Sequence, residues 1–181
     1  MSKKLSFVLL FSVSIFTVSH AQIEGAYVKV KDFKAFGFGG FLNFSFPVSE
    51  ANYLTVEGGF KYFHSDPEEM GIFPVLLGYR YTLDQSGTGL YLEPYAGYTF
   101  GGTTIGVYDE YNSPVGDGNG NWLYEEVKGP SAGLGLGYLF QPGNKVQFNL
   151  SLRYDHGFGN AATNMIALRL THTFGFGRRE E

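Results

Sequence analysis

The sequence predicts an all-β protein, an eight-stranded antiparallel up-and-down transmembrane β-barrel preceded by a cleavable signal peptide. Three observations predict it: an export leader, segments of about ten residues in which apolar and polar side chains alternate, and connections that switch between short turns and longer loops. The chain has 181 residues with 26 Gly, no Cys and 18% aromatic residues, so one disulfide-free domain is expected.

The leader comes first in the chain. Lys3 and Lys4 form a positive start, Leu5 to Val18 is an apolar run, and Ser19-His20-Ala21 offers small residues at the two positions read by a signal peptidase. Residues 1–21 are therefore expected to be removed, Gln22 to begin the barrel (22–177), and residues 178–181 to form a short periplasmic tail. No Cys follows the cleavage site, which excludes a lipid-anchored lipoprotein. Removing two lysines leaves 13 − 2 = 11 basic against 17 acidic residues, a net charge of −6. Such a chain has no basic field for nucleic acid, and no nucleic-acid partner is expected. Beyond residue 22 no stretch is apolar for long enough to cross a bilayer as a helix.

The strands follow from phase. The first, Gly25 to Lys31, sets Ala26, Val28 and Val30 against Lys29 and Lys31, and little turn chemistry separates it from the next. In 36–46, Phe36, Phe38, Leu42, Phe44 and Phe46 oppose Gly37, Gly39, Asn43 and Ser45, with Phe41 out of phase. In 52–64, Leu54, Val56, Phe60 and Tyr62 oppose Thr55, Glu57, Gly59 and Lys61. In 71–83, Phe73, Val75, Leu77, Tyr79, Tyr81 and Leu83 oppose Gly78, Arg80 and Thr82, while Ile72 and Leu76 break the polar set. Leu90, Leu92, Ala96, Tyr98 and Phe100 oppose Glu93, Gly97 and Thr99. Ala132, Leu134, Leu136, Tyr138 and Phe140 oppose Ser131, Gly133, Gly135 and Gly137. Val146, Phe148, Leu150, Leu152 and Tyr154 oppose Asn149, Ser151, Arg153 and Asp155. Ile166, Leu168, Leu170, Phe174 and Phe176 oppose Arg169, Thr171 and Thr173. Between them, 47–51, 84–88 and 141–144 are short turns, and 65–70, 102–127 and 157–163 are the longer connections at the other rim.

Alternation alone fits a soluble sandwich, a lipocalin-like barrel or a lipid-embedded barrel. The polar set decides. Lys29, Lys31, Glu57, Lys61, Arg80, Glu93, Arg153, Asp155 and Arg169 are spaced by Gly, Ser, Thr and Asn, which suits a narrow lumen filled by an ion-pair network. The apolar set carries Tyr62, Tyr81, Tyr98, Tyr138 and Tyr154 toward strand ends, where interfacial girdles fall. The greasy face is expected to meet lipid.

The leader, eight strands, short turns opposite longer loops, and a last strand "MIALRLTHTFGF" resemble the small OmpA/OmpX-type outer-membrane barrels over essentially the whole mature chain. In that family the last strand usually ends the chain on an aromatic residue; here Phe176 is followed by five more residues. The resemblance implies the cell outer membrane of a Gram-negative bacterium, a monomer, no cofactor or metal, contact with outer-membrane lipid and lipopolysaccharide, and a structural or surface-interaction role through extracellular loops, toward a surface ligand or protein partner. It implies no enzyme activity.

Two alternatives carry chemistry. "YDHGFGNAATN" is similar to the His-x-Ser-Asn-Ala stretch of lipid A 3-O-deacylases, with His156 as the base, yet Phe158 stands where the serine would be and the triad lacks its nucleophile. A narrow pore is the other, disfavoured because eight strands leave a lumen only wide enough for side chains. In the long loop, Asp117, Asn119 and Asn121 match a calcium loop, but Trp122 and Lys128 occupy positions that require Gly and Glu. Asp109, Glu110, Asp117, Trp122, Glu125 and Glu126 are the expected loop-interaction residues.

Overall fold

The computed structural model describes residues 18–49, 51–66, 68–84, 87–101, 104–106, 124–143, 146–159 and 161–174. Among them, eight long strands close on themselves: β1 (Val18–Val30), β2 (Phe33–Pro47), β3 (Asn52–Ser65), β4 (Glu68–Thr82), β5 (Gly89–Gly101), β8 (Gly129–Gly143), β9 (Val146–Gly157) and β10 (Thr163–Phe174). Two short strands, β6 (Thr104–Gly106) and β7 (Tyr124–Glu126), form a hairpin within the connection from β5 to β8. Every neighbour in the ring is antiparallel, and the first strand pairs with the last. Closure leaves no unpaired sheet edge, the condition hydrocarbon imposes on a β-structure.

The strands run 12 to 15 residues, longer than the 9 to 11 a tilted strand needs to cross a bilayer. β1 begins inside the expected leader; cleavage after Ala21 would leave the pairs from Gln22↔Thr171 to Val30↔Thr163 in place. The first outer turn is only Lys31-Asp32, and Lys31 takes a φ of 50°, a left-handed conformation that favours glycine. The connection across residues 102–128 is thus the one long excursion, and it marks the outer rim.

The outside of the barrel is greasy. Phe36, Phe38, Leu42, Phe73, Val75, Leu77, Leu134, Leu136, Leu150, Leu152, Ile166, Leu168 and Leu170 all point away from the lumen. Tyr27, Tyr62, Tyr98 and Tyr154 ring this belt near the outer rim, and Tyr79, Tyr81 and Tyr138 ring it near the turns. Between Leu90 and Tyr98 the outward face of β5 covers about 26 Å of strand, roughly 20 Å of membrane normal at barrel tilt. Aromatic neighbours within the belt touch, as in Phe60 and Phe73 with ring centroids 4.7 Å apart.

One strand reverses the expected phase. On β1 the residues that face inward are Gln22, Glu24, Ala26, Val28 and Val30, and Ile23, Tyr27 and Lys29 face outward. Lys29 is therefore outside the lumen, and Lys31 sits in the outer turn. The cause is a change of solvent at the rim. Above the tyrosine belt the exterior meets headgroups and water while the interior is dry, so lysine belongs outside and valine inside.

Candidate functional site

The lumen is divided into two zones. Toward the turns it is charged. Glu24, Glu57, Glu93 and Asp155 supply four negative charges, and Lys61, Arg80, Arg153 and Arg169 supply four positive ones, so the buried set sums to zero among the described residues. Isolated, each of these groups would cost several kcal/mol to desolvate, and only mutual pairing makes their burial tolerable.

The pairing falls into two groups. Arg80 donates through Nε and Nη2 to Glu93 Oε2 at 3.0 and 2.9 Å, while the Thr55 hydroxyl donates to Glu93 Oε1 at 2.8 Å. Glu57 Oε2 accepts from Arg153 at 3.0 Å, from Asn43 at 3.5 Å and from Arg169. Arg169 also donates Nε to Glu24 Oε2 at 2.8 Å and Nη1 to Gln22 Oε1 at 2.7 Å. Lys61 extends the second group, 2.7 Å from Glu24 and 3.2 Å from Asp155. Seven strands supply these members: β1, β2, β3, β4, β5, β9 and β10.

Behind the cations lies a repeated stack. Tyr91 faces Gly137, Tyr95 faces Gly133, and Phe41 faces Gly59, each a direct cross-strand pair inside the lumen. At each glycine an added Cβ would run into the ring opposite, so the missing side chain is the space the ring fills. A guanidinium then lies over each ring: Arg80 at 4.7 Å from the Tyr91 centroid, Arg153 at 3.7 Å from Tyr95, and Arg169 at 4.3 Å from Phe41, which Lys61 also approaches at 5.3 Å. Glycine, ring, cation and carboxylate thus form layers from wall to axis. Phe41, out of phase in the sequence, is one of these rings.

Toward the outer rim the lumen becomes apolar. Ala26, Val28, Val30, Phe33, Ala35, Phe63, Met70, Ile72, Met165 and Ala167 converge with Val127 and Ala161 from the loops into one buried cluster. Phe63 repeats the stacking rule against its cross-strand partner Gly37. This plug holds no charge, and Met165 Sδ meets Lys61 Nζ at 3.2 Å where the two zones join.

Of the residues expected in the lumen, Glu57, Lys61, Arg80, Glu93, Arg153, Asp155 and Arg169 come together there, whereas Lys29 and Lys31 do not. Glu24 and Gln22 are members the sequence reading missed. Starting the strand at Gln22 instead of Gly25 would have set them on one parity, with Ile23 and Tyr27 on the other. Of the loop residues, Asp109, Glu110, Asp117 and Trp122 lie outside the described residues, and Glu125 and Glu126 are in β7. No cluster of three or more metal-ligating side chains occurs among the described residues.

His156 points outward near the outer rim. Its Nδ1 lies 3.0 Å from Asn164 Oδ1, which also accepts the Tyr154 hydroxyl at 2.7 Å. The ring of Phe158 stands edge-on to the imidazole at 4.5 Å, where a serine nucleophile would be needed. At the other end of the barrel His172 stacks edge-on against Phe148 at 5.1 Å.

No protein-family model matches the sequence, and no curated relative matches it. The fold is nonetheless shared with solved barrels. Neisserial surface protein A aligns with a TM-score of 0.59 at 10% identity, covering 86% of this chain and 95% of that one. Ail, the attachment invasion locus protein of Yersinia pestis, gives 0.58 at 12% identity over 87% and 97%. The N-terminal β-barrel domain of Pseudomonas aeruginosa OprF gives 0.54 at 16% identity over 87% and 99%. The closed eight-stranded ladder with its outward apolar belt is thus the fold of these small outer-membrane β-barrels.

Proposed function

We propose that the protein is a non-catalytic outer-membrane barrel that displays its long outer connection at the cell surface and conducts nothing through its lumen. The observation that carries this reading is the doubly closed interior: a charge-neutral network toward the turns and an apolar plug toward the outer rim. A conducting path would need mobile water along the axis, and neither a stacked ion-pair layer nor a packed cluster of Val, Phe and Met leaves room for it. Evolutionary freedom at the surface then belongs to the connection that carries the β6–β7 hairpin, since the other outer turns are short. Surface display also agrees with the names of two structural neighbours, a surface protein and an attachment protein.

Deleting residues 108–124 tests the reading. The expected result is a barrel that keeps its heat-modifiable gel migration and loses adhesion to whatever surface the intact protein binds. Undiminished adhesion would refute the surface role, and steady single-channel current from the intact protein in planar bilayers would refute the closed lumen. A lipid-modifying role would instead appear as altered lipid A acylation on overexpression; none is expected, because among the described residues His156 is hydrogen-bonded to Asn164 and not to a nucleophile.

A further inference from the structure

The strand register lines up four outward-facing polar residues in one cross-strand row. Lys34 on β2 pairs with Lys29 on β1, Lys29 with Asn164 on β10, and Asn164 with His156 on β9. Three interstrand spacings separate the ends, roughly 14 Å. One outward position closer to the membrane centre runs a second row, Phe36, Tyr27, Ile166 and Tyr154, in the same register. Tyr27 and Phe36 touch there, with ring centroids 5.0 Å apart. An aromatic and aliphatic row marks the edge of the hydrocarbon, so the row above it lies at the depth of lipid headgroups.

The chemistry of the upper row is that of an anion site. Lys29 and Lys34 are exposed and directly opposite each other, an arrangement of like charges that destabilises a sheet unless something negative lies between them. Neither has an ion-pair partner among the described residues; the nearby acids Asp32 and Asp66 are at the turn tips beyond the row, and Glu69 pairs with His64 at 3.5 Å. At the other end, Asn164 Oδ1 accepts from the Tyr154 hydroxyl and from His156 Nδ1, which fixes the Asn164 amide and leaves its N–H groups as the donors at that end of the row.

We infer that the row Lys34, Lys29 and Asn164, with His156 holding the Asn164 side chain in place, binds the phosphate groups of the glycolipid headgroup in the outer leaflet. This rests on the outer-membrane placement and goes beyond it by naming a lipid site on the barrel wall. Glycolipid, not phospholipid, is the source because the row lies on the rim that bears the long loop, the rim that faces the cell exterior.

The test uses the full protein purified from membranes into zwitterionic detergent, titrated with bisphosphorylated lipid A, with its dephosphorylated form and with phosphatidylglycerol, and bound lipid counted by native mass spectrometry. Wild type is expected to prefer bisphosphorylated lipid A over both others. Each lysine near an anionic headgroup is worth about fivefold in affinity, so Lys34→Gln should weaken binding about fivefold and the Lys29→Gln/Lys34→Gln pair about 25-fold, with Lys29→Arg/Lys34→Arg restoring it. Equal binding by the double glutamine variant, or by dephosphorylated lipid A or phosphatidylglycerol, would overturn the site. Heat-modifiable migration of each variant is scored in parallel, so a folded barrel without lipid preference refutes the row and leaves the membrane placement intact.

Discussion

The lower and upper lumen solve one problem with opposite chemistry. Both must fill a barrel too narrow for bulk water. Below, eight buried charges cancel and each cation rests on a ring that rests on a glycine. Above, valine, phenylalanine and methionine fill the space with no polar group to satisfy. The charged zone fails on the loss of any single partner, because removing one strands another in low dielectric; the plug responds in proportion to the volume removed. The two zones should therefore fail differently.

The largest effect should come from Glu57→Ala. It would leave Arg153 and Arg169 without the carboxylate oxygen they share, and the expected cost is about 3–5 kcal/mol, read as a shift in the urea midpoint of the barrel in lipid vesicles. A midpoint equal to wild type would mean the network contributes nothing net. Phe63→Ala in the plug should cost about 3 kcal/mol by the same measurement, through lost burial plus a cavity. Neither variant alone should conduct, since the intact zone still closes the axis; the double variant should pass ions in planar bilayers. Current from Phe63→Ala alone would show that the charged zone is permeable.

Smaller changes sharpen the stacking rule. Gly137→Ala puts a methyl group against the Tyr91 ring and should destabilise by about 1–3 kcal/mol, with Tyr91→Leu in the same chain recovering part of the loss. A loss without recovery would assign the glycine to backbone conformation instead. The smallest effect belongs to the rim. Lys31→Gly relieves a left-handed φ at a two-residue turn and should stabilise by about 1 kcal/mol, visible as a modest rise in midpoint. A fall would show that the Lys31 side chain contributes more than its backbone costs.

The same division explains what could be read from the sequence. Through the membrane, alternation reports facing faithfully because lipid is apolar and the lumen is polar: Arg153 and Leu152, or Arg169 and Leu168, separate without ambiguity. At the plug the inner face is also apolar, so the pattern loses contrast. Above the tyrosine belt it inverts, so alternation points Lys29 inward and Val28 outward where the structure has the reverse. Ile72, Leu76 and Phe41 looked like errors of phase and are instead lumen residues. The cross-strand match of aromatic to glycine was beyond a single sequence, because it depends on register, which only the closed ladder supplies.

Closure of β1 on β10 also governs when the protein can fold. Glu24 and Arg169 are 145 residues apart in the chain, yet they share a buried hydrogen bond. Without Arg169 the interior is one positive charge short until the last strand has arrived, and a partial sheet would expose both a raw edge and uncompensated charge. Closing the ladder and neutralising the lumen are thus one event, and both wait for the C-terminal strand.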